Sequence, residues 1–300
     1  MDINMTLNLG FGNRHNRSMF SHNRSFDEGV KQKGIRAGQA TIVVAQDGSG
    51  DAETIQEGID LIPDGGGVVY VKEGTYNLTA KIEITKSNVS IVGVGKATAI
   101  KITTGISAIY ASAKHGLLIE NLFIDGDDSL TSKGIEIQNC NESRIQNNWI
   151  SDCEFGIEVV SEGEFTNVEG NWIKSCKYGI FSETLDNCLI LGNTLISNTS
   201  NGIHLDDADN CIVKSNHSFS NVDGIYLKAS DNNIVIGNRC WSNTGYGINI
   251  SDNTCDKTII SGNQCLGNIT GAIQDLGTNT LPNGAMGTTN LALDDLNIIA

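Results

Sequence analysis

Gly202-Ile-His-Leu-Asp-Asp-Ala-Asp-Asn-Cys-Ile-Val-Lys-Ser-Asn216 is followed one unit later by Gly224-Ile-Tyr-Leu-Lys-Ala-Ser-Asp-Asn-Asn-Ile-Val-Ile-Gly-Asn238. The two runs share a Gly-Ile opening, a second apolar run and a closing Asn. Outward from them, Gly followed by Ile recurs at Gly134, Gly156, Gly179, Gly202, Gly224 and Gly247, with a variant at Gly271-Ala272, in units of 22, 23, 23, 22, 23 and 24 residues. An Asn precedes each following Gly by eight or nine residues: Asn148, Asn171, Asn193, Asn216, Asn238 and Asn263. Two markers in fixed phase describe one supersecondary unit stacked on itself.

The unit reads as strands. Ile135-Glu-Ile137, Ile157-Glu-Val159, Ile203-His-Leu205, Ile225-Tyr-Leu227 and Ile248-Asn-Ile250 alternate with period two, and Cys211-Ile-Val213 or Ile234-Val-Ile236 supplies a second apolar run. The expected fold is all-β: a single-stranded, right-handed parallel β-helix of about ten coils, each strand bonded to its equivalent about 4.8 Å away. A leucine-rich horseshoe has a similar period, but its Leu signature and helical outer segments are missing.

Stacking accounts for the composition. The recurring Asn is expected in a turn of left-handed backbone, its side chain bonded to the Asn above and below. Pro is nearly absent, with 2 residues, because interior coils need their N–H groups. All 8 Cys lie between Cys140 and Cys265. Cys153 and Cys176 take the slot of Asn198, Asn221, Asn243 and Asn268, and Cys240 and Cys265 that of Ile150, Ile173 and Leu195. Side chains in such a ladder point the same way, which opposes a disulfide torsion, so buried free thiols and a reducing compartment are expected.

Upstream, Thr41–Val44 reads as a strand, Asp47-Gly-Ser-Gly50 as a turn, and Asp51–Ile62 as an amphipathic helix capped by Asp51 and stopped by Pro63. With Ile55, Ile59 and Ile62 on one face, this helix is the expected lid on the open apolar end. Val68–Val71, Ile82–Ile84, Val89–Val92, Ile100–Ile102 and Leu117–Ile119 read as strands of irregular early coils, and Lys72-Glu-Gly-Thr-Tyr76 as a turn. The domain reading is 1–40 a polar arm for attachment or assembly, 41–274 the β-helix, and 275–300 a tail that caps the lower end or knits subunits.

The segments Thr41-Ile-Val-Val-Ala-Gln-Asp-Gly-Ser-Gly-Asp51, Thr54-Ile-Gln-Glu-Gly-Ile-Asp60, Val68-Val-Tyr-Val-Lys-Glu-Gly-Thr-Tyr76 and Val92-Gly-Val-Gly95 resemble the opening of the pectin-esterase and pectate-lyase superfamily, over roughly residues 41–104. The later units resemble its generic β-helix repeats. The resemblance implies the fold; it does not extend to catalysis. The esterase segments Gln-Asp-Thr, Asp-Phe-Ile-Phe-Gly and Leu-Gly-Arg-Pro-Trp are missing, Arg144 and Arg239 lie in no lyase-like run, and Asp206-Asp207 matches the polygalacturonase Asp pair in type only.

Alternation places the residues two and four after each Gly outward. The first outward column reads Glu136, Glu158, Phe181, His204, Tyr226, Asn249; the second reads Gln138, Val160, Glu183, Asp206, Lys228, Ser251. Rings beside carboxylates suit a saccharide, with Glu158, Phe181, Tyr226 and Lys228 as substrate-binding candidates and Glu183, Asp206, His204 and Asp207 as catalytic ones. A solvated wall would also carry polar residues outward. No metal site is assigned, and no cofactor is needed; Asp125-Gly-Asp-Asp128 could bind Ca2+, although such acidic turns are usually only turns.

The net charge of −15 argues against nucleic acid and admits a polyanionic glycan only through bridging cations. Residues 1–40 are the exception, with six Lys or Arg against three acidic residues. A basic arm, a β-helical shaft and a terminal assembly segment resemble the layout of phage tail-spike and tail-fibre proteins. That layout implies a homo-oligomer, commonly a trimer, or a larger virion assembly formed through 1–40 and 275–300, with a polysaccharide or cell-surface glycan as partner. No secretion signal or membrane span is read, which places the chain in a virion or assembled in the cytoplasm. Three readings remain open: a virion-type glycan binder that can also cleave, a stand-alone polysaccharide lyase or hydrolase, and a structural spacer.

Overall fold

The computed structural model describes residues 40–103, 105–127, 131–281 and 298–299. It is a parallel β-helix. Each unit contributes one strand to each of three sheets, of ten, ten and nine strands, and neighbours within a sheet are successive coils. The first sheet starts at β1 (Ala40–Val44) and ends at Ile259–Ser261. The second runs from Gly74–Leu78 to Ile298–Ile299, and the third from Ile82–Ile84 to Gly271–Asp275. The Gly-Ile strands all fall in the third sheet, in the register the repeat predicts: Ile135, Ile157, Ile180, Ile203, Ile225, Ile248 and Ile273 pair in sequence.

The repeated Gly has a steric cause. A Cβ at Gly179 would stand 2.5 Å from the carbonyl oxygen of Gly202 in the next coil and 2.7 Å from Leu195 Cδ2. The third sheet meets its neighbour at this corner too closely for any side chain.

The Asn ladder forms as expected in its bonding and differs in its backbone. Asn171 Oδ1 accepts the backbone N–H (3.0 Å) and the amide (3.1 Å) of Asn148, and the pattern repeats through Asn193, Asn216, Asn238 and Asn263. Each ladder amide up to Asn263 also donates to a backbone carbonyl of the preceding coil, as Asn193 does to Val168 O at 2.8 Å. The left-handed residue is not the ladder Asn but the one before it: Asn147, Gly170, Gly192, Ser215, Gly237 and Gly262 all have φ between 55° and 66°. That residue turns the corner, and the Asn after it points inward. A second ladder, Asn198, Asn221, Asn243 and Asn268, lines the next corner, where Cys176 N–H donates to Asn198 Oδ1 at 3.0 Å.

All eight Cys are free and buried. Several of their thiols are spent on local bonds, Cys140 Sγ donating to Gln138 O at 3.2 Å, Cys153 to Ser151 O at 3.3 Å and Cys188 to Asp186 O at 3.1 Å. Burial raises the thiols of Cys140 and Cys188, and lifts Cys255 to about 11.

The lid helix is shorter than expected. α1 spans Ile55–Leu61 and is capped by Thr54 in a capping box with Glu57. Asp51 instead accepts from Val43 N–H at 2.8 Å, so it fastens β1 rather than starting the helix. Ile55, Ile59 and Ile62 are buried at the open end, and Gly58 lies so near Val44 Cγ2 that a Cβ would approach it to 2.6 Å. Gly74–Leu78 is a strand where a turn was expected. At the other end Leu281 bridges Ile259 and Ile298 pairs with Gln264, so the tail adds strand to the last coil. The arm reading of residues 1–40 lies, Ala40 apart, outside the described residues, as does most of the 275–300 tail.

Two outcomes follow. Asn193→Ala leaves the buried N–H and amide of Asn171 without their acceptor and is expected to cost about 2–4 kcal/mol in denaturant unfolding, against below about 1 for the exposed Thr199→Ala. Alkylation is expected to label no Cys in the native chain and all eight after denaturation without reductant.

Candidate functional site

The outward face of the third sheet is where the predicted site residues meet. Phe181, His204 and Tyr226 are register partners on three successive strands, and Glu158 precedes them in the same column. Their rings touch: Phe181 to His204 at 5.0 Å and His204 to Tyr226 at 4.6 Å between centroids. Two further rings, absent from the sequence reading, complete the stack. Phe155 and Tyr178 occupy the position just before the repeated Gly and lie parallel, 5.2 Å apart with 8° between planes. Phe181 packs against both, at 5.0 and 5.4 Å. Five rings thus run without a break over four coils, about 14 Å of axis.

Below the rings sits a cluster that is more buried than a solvated wall. Glu136 and Glu158 are each 6% exposed, and Lys133 Nζ lies 2.9 Å from Glu136 Oε1 and 2.6 Å from Glu158 Oε2. Ser107 Oγ and Gln138 Nε2 also donate to Glu136. Burial alone would raise Glu136, but these donors outweigh it and hold the carboxyl below its ordinary range. At Glu158 burial prevails over Lys133 and pushes the carboxyl up; its Oε2 has the ion-pair distance to Lys133 without hydrogen-bond geometry to any described group. Burial lowers Lys133, and the two carboxylates more than restore it. The lysine is the charge that lets two glutamates stack on neighbouring coils. Glu158, expected on the open surface, is instead part of this interior cluster.

The remaining candidates separate. Glu183 is exposed, its carboxylate without a partner among the described residues, and is the register partner of Asp206. Asp206 is tied to Lys228 at 2.8 Å. Asp207 leaves the face, because its φ of 52° turns the corner. It lines a groove of about 380 Å³ with Glu164, Thr184, Asp186 and Asp209. The structure therefore does not bring Asp207, a catalytic candidate, to the face that carries Asp206. His204 Nδ1 is 3.0 Å from Asn201 Nδ2, and burial among the rings lowers the imidazole to about 4. Of the candidate calcium turn, Asp125 faces Lys101 at 3.2 Å and accepts from Ser151, while Asp128 is outside the described residues.

Residues 124–282, more than half of the chain, match the family described as "Periplasmic copper-binding protein (NosD)". This chain belongs to the NosD family. Residues 41–146 of the NosD-family chain also match the family described as Pectinesterase. Pectinesterase 2 of Citrus sinensis is 40% identical over 90 residues, covering 28% of this chain and 17% of that protein. A probable pectinesterase/pectinesterase inhibitor of Arabidopsis thaliana is 32% identical over 104 residues, 34% of this chain and 18% of its own length. The NosD-family chain thus spans less than a fifth of these relatives. Among solved structures, the enzymatically active domain of bacteriophage CBA120 tailspike protein 2 superposes with TM-score 0.65 at 13% identity, over 75% of this chain and 39% of that one. DFA-IIIase from Arthrobacter chlorophenolicus A6, in complex with GF2, gives 0.62 at 15% over 71% and 67%. Geobacillus virus E2 ORF18 gives 0.57 at 20% over 76% and 56%. These likenesses are of fold.

The described residues do not fit copper. Soft donors would be needed, and the eight thiols are buried ladder pieces, while His115, His204 and His217 stand in a turn, the third sheet and the second sheet. No three His, Cys, Asp or Glu among the described residues converge as a metal site. All four Met lie outside the described residues.

The His204 shift has a sign that can be tested. Its folded value of about 4 lies below the ordinary 6.5, so the neutral ring contributes stability that is full above pH 6.5 and lost as pH falls toward 4. The gap in unfolding free energy between the native chain and His204→Phe is expected to change over that window and to be flat above it. A gap constant from pH 7 to 4 would show the ring protonates freely.

Proposed function

We propose that the chain is a β-helical polysaccharide-recognition protein whose third-sheet face lies along a glycan. The unbroken stack of Phe155, Tyr178, Phe181, His204 and Tyr226 carries this reading. Aromatic surfaces take the apolar faces of pyranose rings, and neighbouring carboxylates hold hydroxyls. Glu183 and the Asp206–Lys228 pair supply those polar partners beside the rings. The similarity of residues 41–146 to proteins named pectinesterases supports carbohydrate as the ligand class.

Recognition ranks ahead of cleavage. Asp207 faces away, Asp206 is neutralised by Lys228, and His204 is bound to Asn201. Glu183 and Asp206, on adjoining strands, are the carboxylate pair for any hydrolysis that accompanies binding. Placement on a virion, as a trimer assembled through 1–40 and 275–300, is the assembly we favour. The fold likeness to a phage tailspike supports it.

On a glycan array, Tyr226→Ala and Tyr178→Ala are each expected to weaken binding by about 1–1.5 kcal/mol, with Tyr226→Ala nearly neutral in Tm. Glu183→Gln and Asp206→Asn are expected to keep most of the binding and to abolish any turnover. Binding that survives loss of both tyrosines would remove the face from recognition.

A further inference from the structure

The charges of the third sheet narrow the class of glycan. Its strands carry eight carboxylates with described side chains (Glu83, Glu136, Glu158, Glu164, Glu183, Asp186, Asp206 and Asp275) against two lysines, Lys133 and Lys228. Neither lysine is free. Lys133 is held between Glu136 and Glu158, and Lys228 faces Asp206 at 2.8 Å. Of the lysines that flank the sheet, Lys81 lies 3.6 Å from Glu83 and Lys177 lies 2.9 Å from Glu154 beside Tyr178, while Lys86 and Lys114, which reach only backbone carbonyls, follow strands four and three removed from that of Phe181. Arg144 and Arg239 belong to the first and second sheets.

The ring stack adds no positive charge near neutral pH, because burial keeps His204 unprotonated down to about pH 4. Glu183 remains. Its exposed carboxylate stands two residues along the strand from Phe181, on the same side, next to the Asp206–Lys228 pair. A sugar lying on Phe181 and His204 therefore meets a hydrogen-bond acceptor for its hydroxyls. A uronate there would meet a like charge with no cation to offset it.

Resting on the glycan-binding reading above, we propose that this face takes an uncharged polysaccharide and excludes polyuronates. The same charge count makes Glu183 the residue that sets the exclusion, since it is the exposed carboxylate beside the rings that no lysine neutralises.

The test uses the full chain and four probes: a neutral β-glucan, a galactomannan, polygalacturonate and alginate. Each is measured with EDTA and with added calcium, at low and at 0.5 M salt. The native chain is expected to bind at least one neutral polymer ten-fold or more tighter than either polyuronate, with Tyr178→Ala weakening that binding about ten-fold. Glu183→Lys supplies a free cation and is expected to raise polyuronate binding at low salt at least five-fold, an increase that added salt removes and that the neutral polymers, which lose the Glu183 acceptor, do not share. Equal or tighter binding of polyuronate by the native chain, with or without calcium, would overturn the exclusion while leaving recognition by the face intact, provided Tyr178→Ala weakens it. Failure of Glu183→Lys to change polyuronate binding would overturn the role of Glu183. Binding of none of the four probes, or binding indifferent to Tyr178→Ala, would overturn the recognition reading itself and the exclusion with it.

Discussion

Each inward amide of the Asn148–Asn263 ladder is pinned by the coil before it and in turn pins itself to the coil after it. Asn193 Oδ1 takes two N–H bonds from Asn171, and the Asn193 amide gives two, to Val168 O and Asn216 Oδ1. Buried groups of this kind are costly to leave unpaired, so a coil that slips by one residue loses several bonds at once. Register is therefore fixed at the corner, and every column of side chains on the three sheets inherits it. The left-handed residue before each ladder Asn does the complementary work of turning the chain, and the repeated Gly lets the third sheet close against its neighbour.

Fixed register stacks like on like, which rewards rings and penalises charges. Phe155 over Tyr178, and Phe181 over His204 over Tyr226, gain contact from the arrangement. Glu136 over Glu158 does not, and Lys133 between them is the compensation. Another acidic column uses a different one: Asp186, Asp209 and Asp231 each accept the backbone N–H of the Asp in the next coil, at 3.1, 2.7 and 2.7 Å. Even so, burial together with the charges of Asp231, Asp186 and Asp207 raises Asp209 above its ordinary range. In a chain of net charge −15, such columns consume the available cations as structural partners. A face built this way has little positive charge left for a ligand.

The architecture was legible because Gly-Ile and Asn recur in fixed phase, and phase alone decides which strands pair. The slots of Cys153 and Cys176 in the second Asn ladder followed from the same count, as Cys176 N–H to Asn198 Oδ1 bears out. Three of the features read wrongly have a traceable cause in neighbouring residues. Thr54 rather than Asp51 caps α1, since Thr54 stands three residues before Glu57 and can form the reciprocal box. The residue before each ladder Asn takes the left-handed turn, since Asn points its own amide inward. Glu158 alternates outward as read, yet the neighbouring Glu136 and Lys133 bury it, and period two is blind to such cover. Phe155 and Tyr178 carried a usable signal, an aromatic directly before the repeated Gly in consecutive units.

Membership of a family described by copper binding and a wall of rings suited to sugars are compatible once interior and exterior are kept apart. The shared part of a β-helix is the stack itself: ladder amides, apolar columns, corners. In this chain the cysteines belong to that interior. Five of their thiols donate to carbonyls two residues back, and burial raises Cys140, Cys188 and Cys255, so metal binding there would first have to dismantle coil contacts. Ligand chemistry must then be written in the outward columns, which the stack leaves free to vary because nothing in the ladder touches them. On the third sheet those columns spell rings and carboxylates, and the specificity we propose rests on which charges the neighbouring coil has already neutralised.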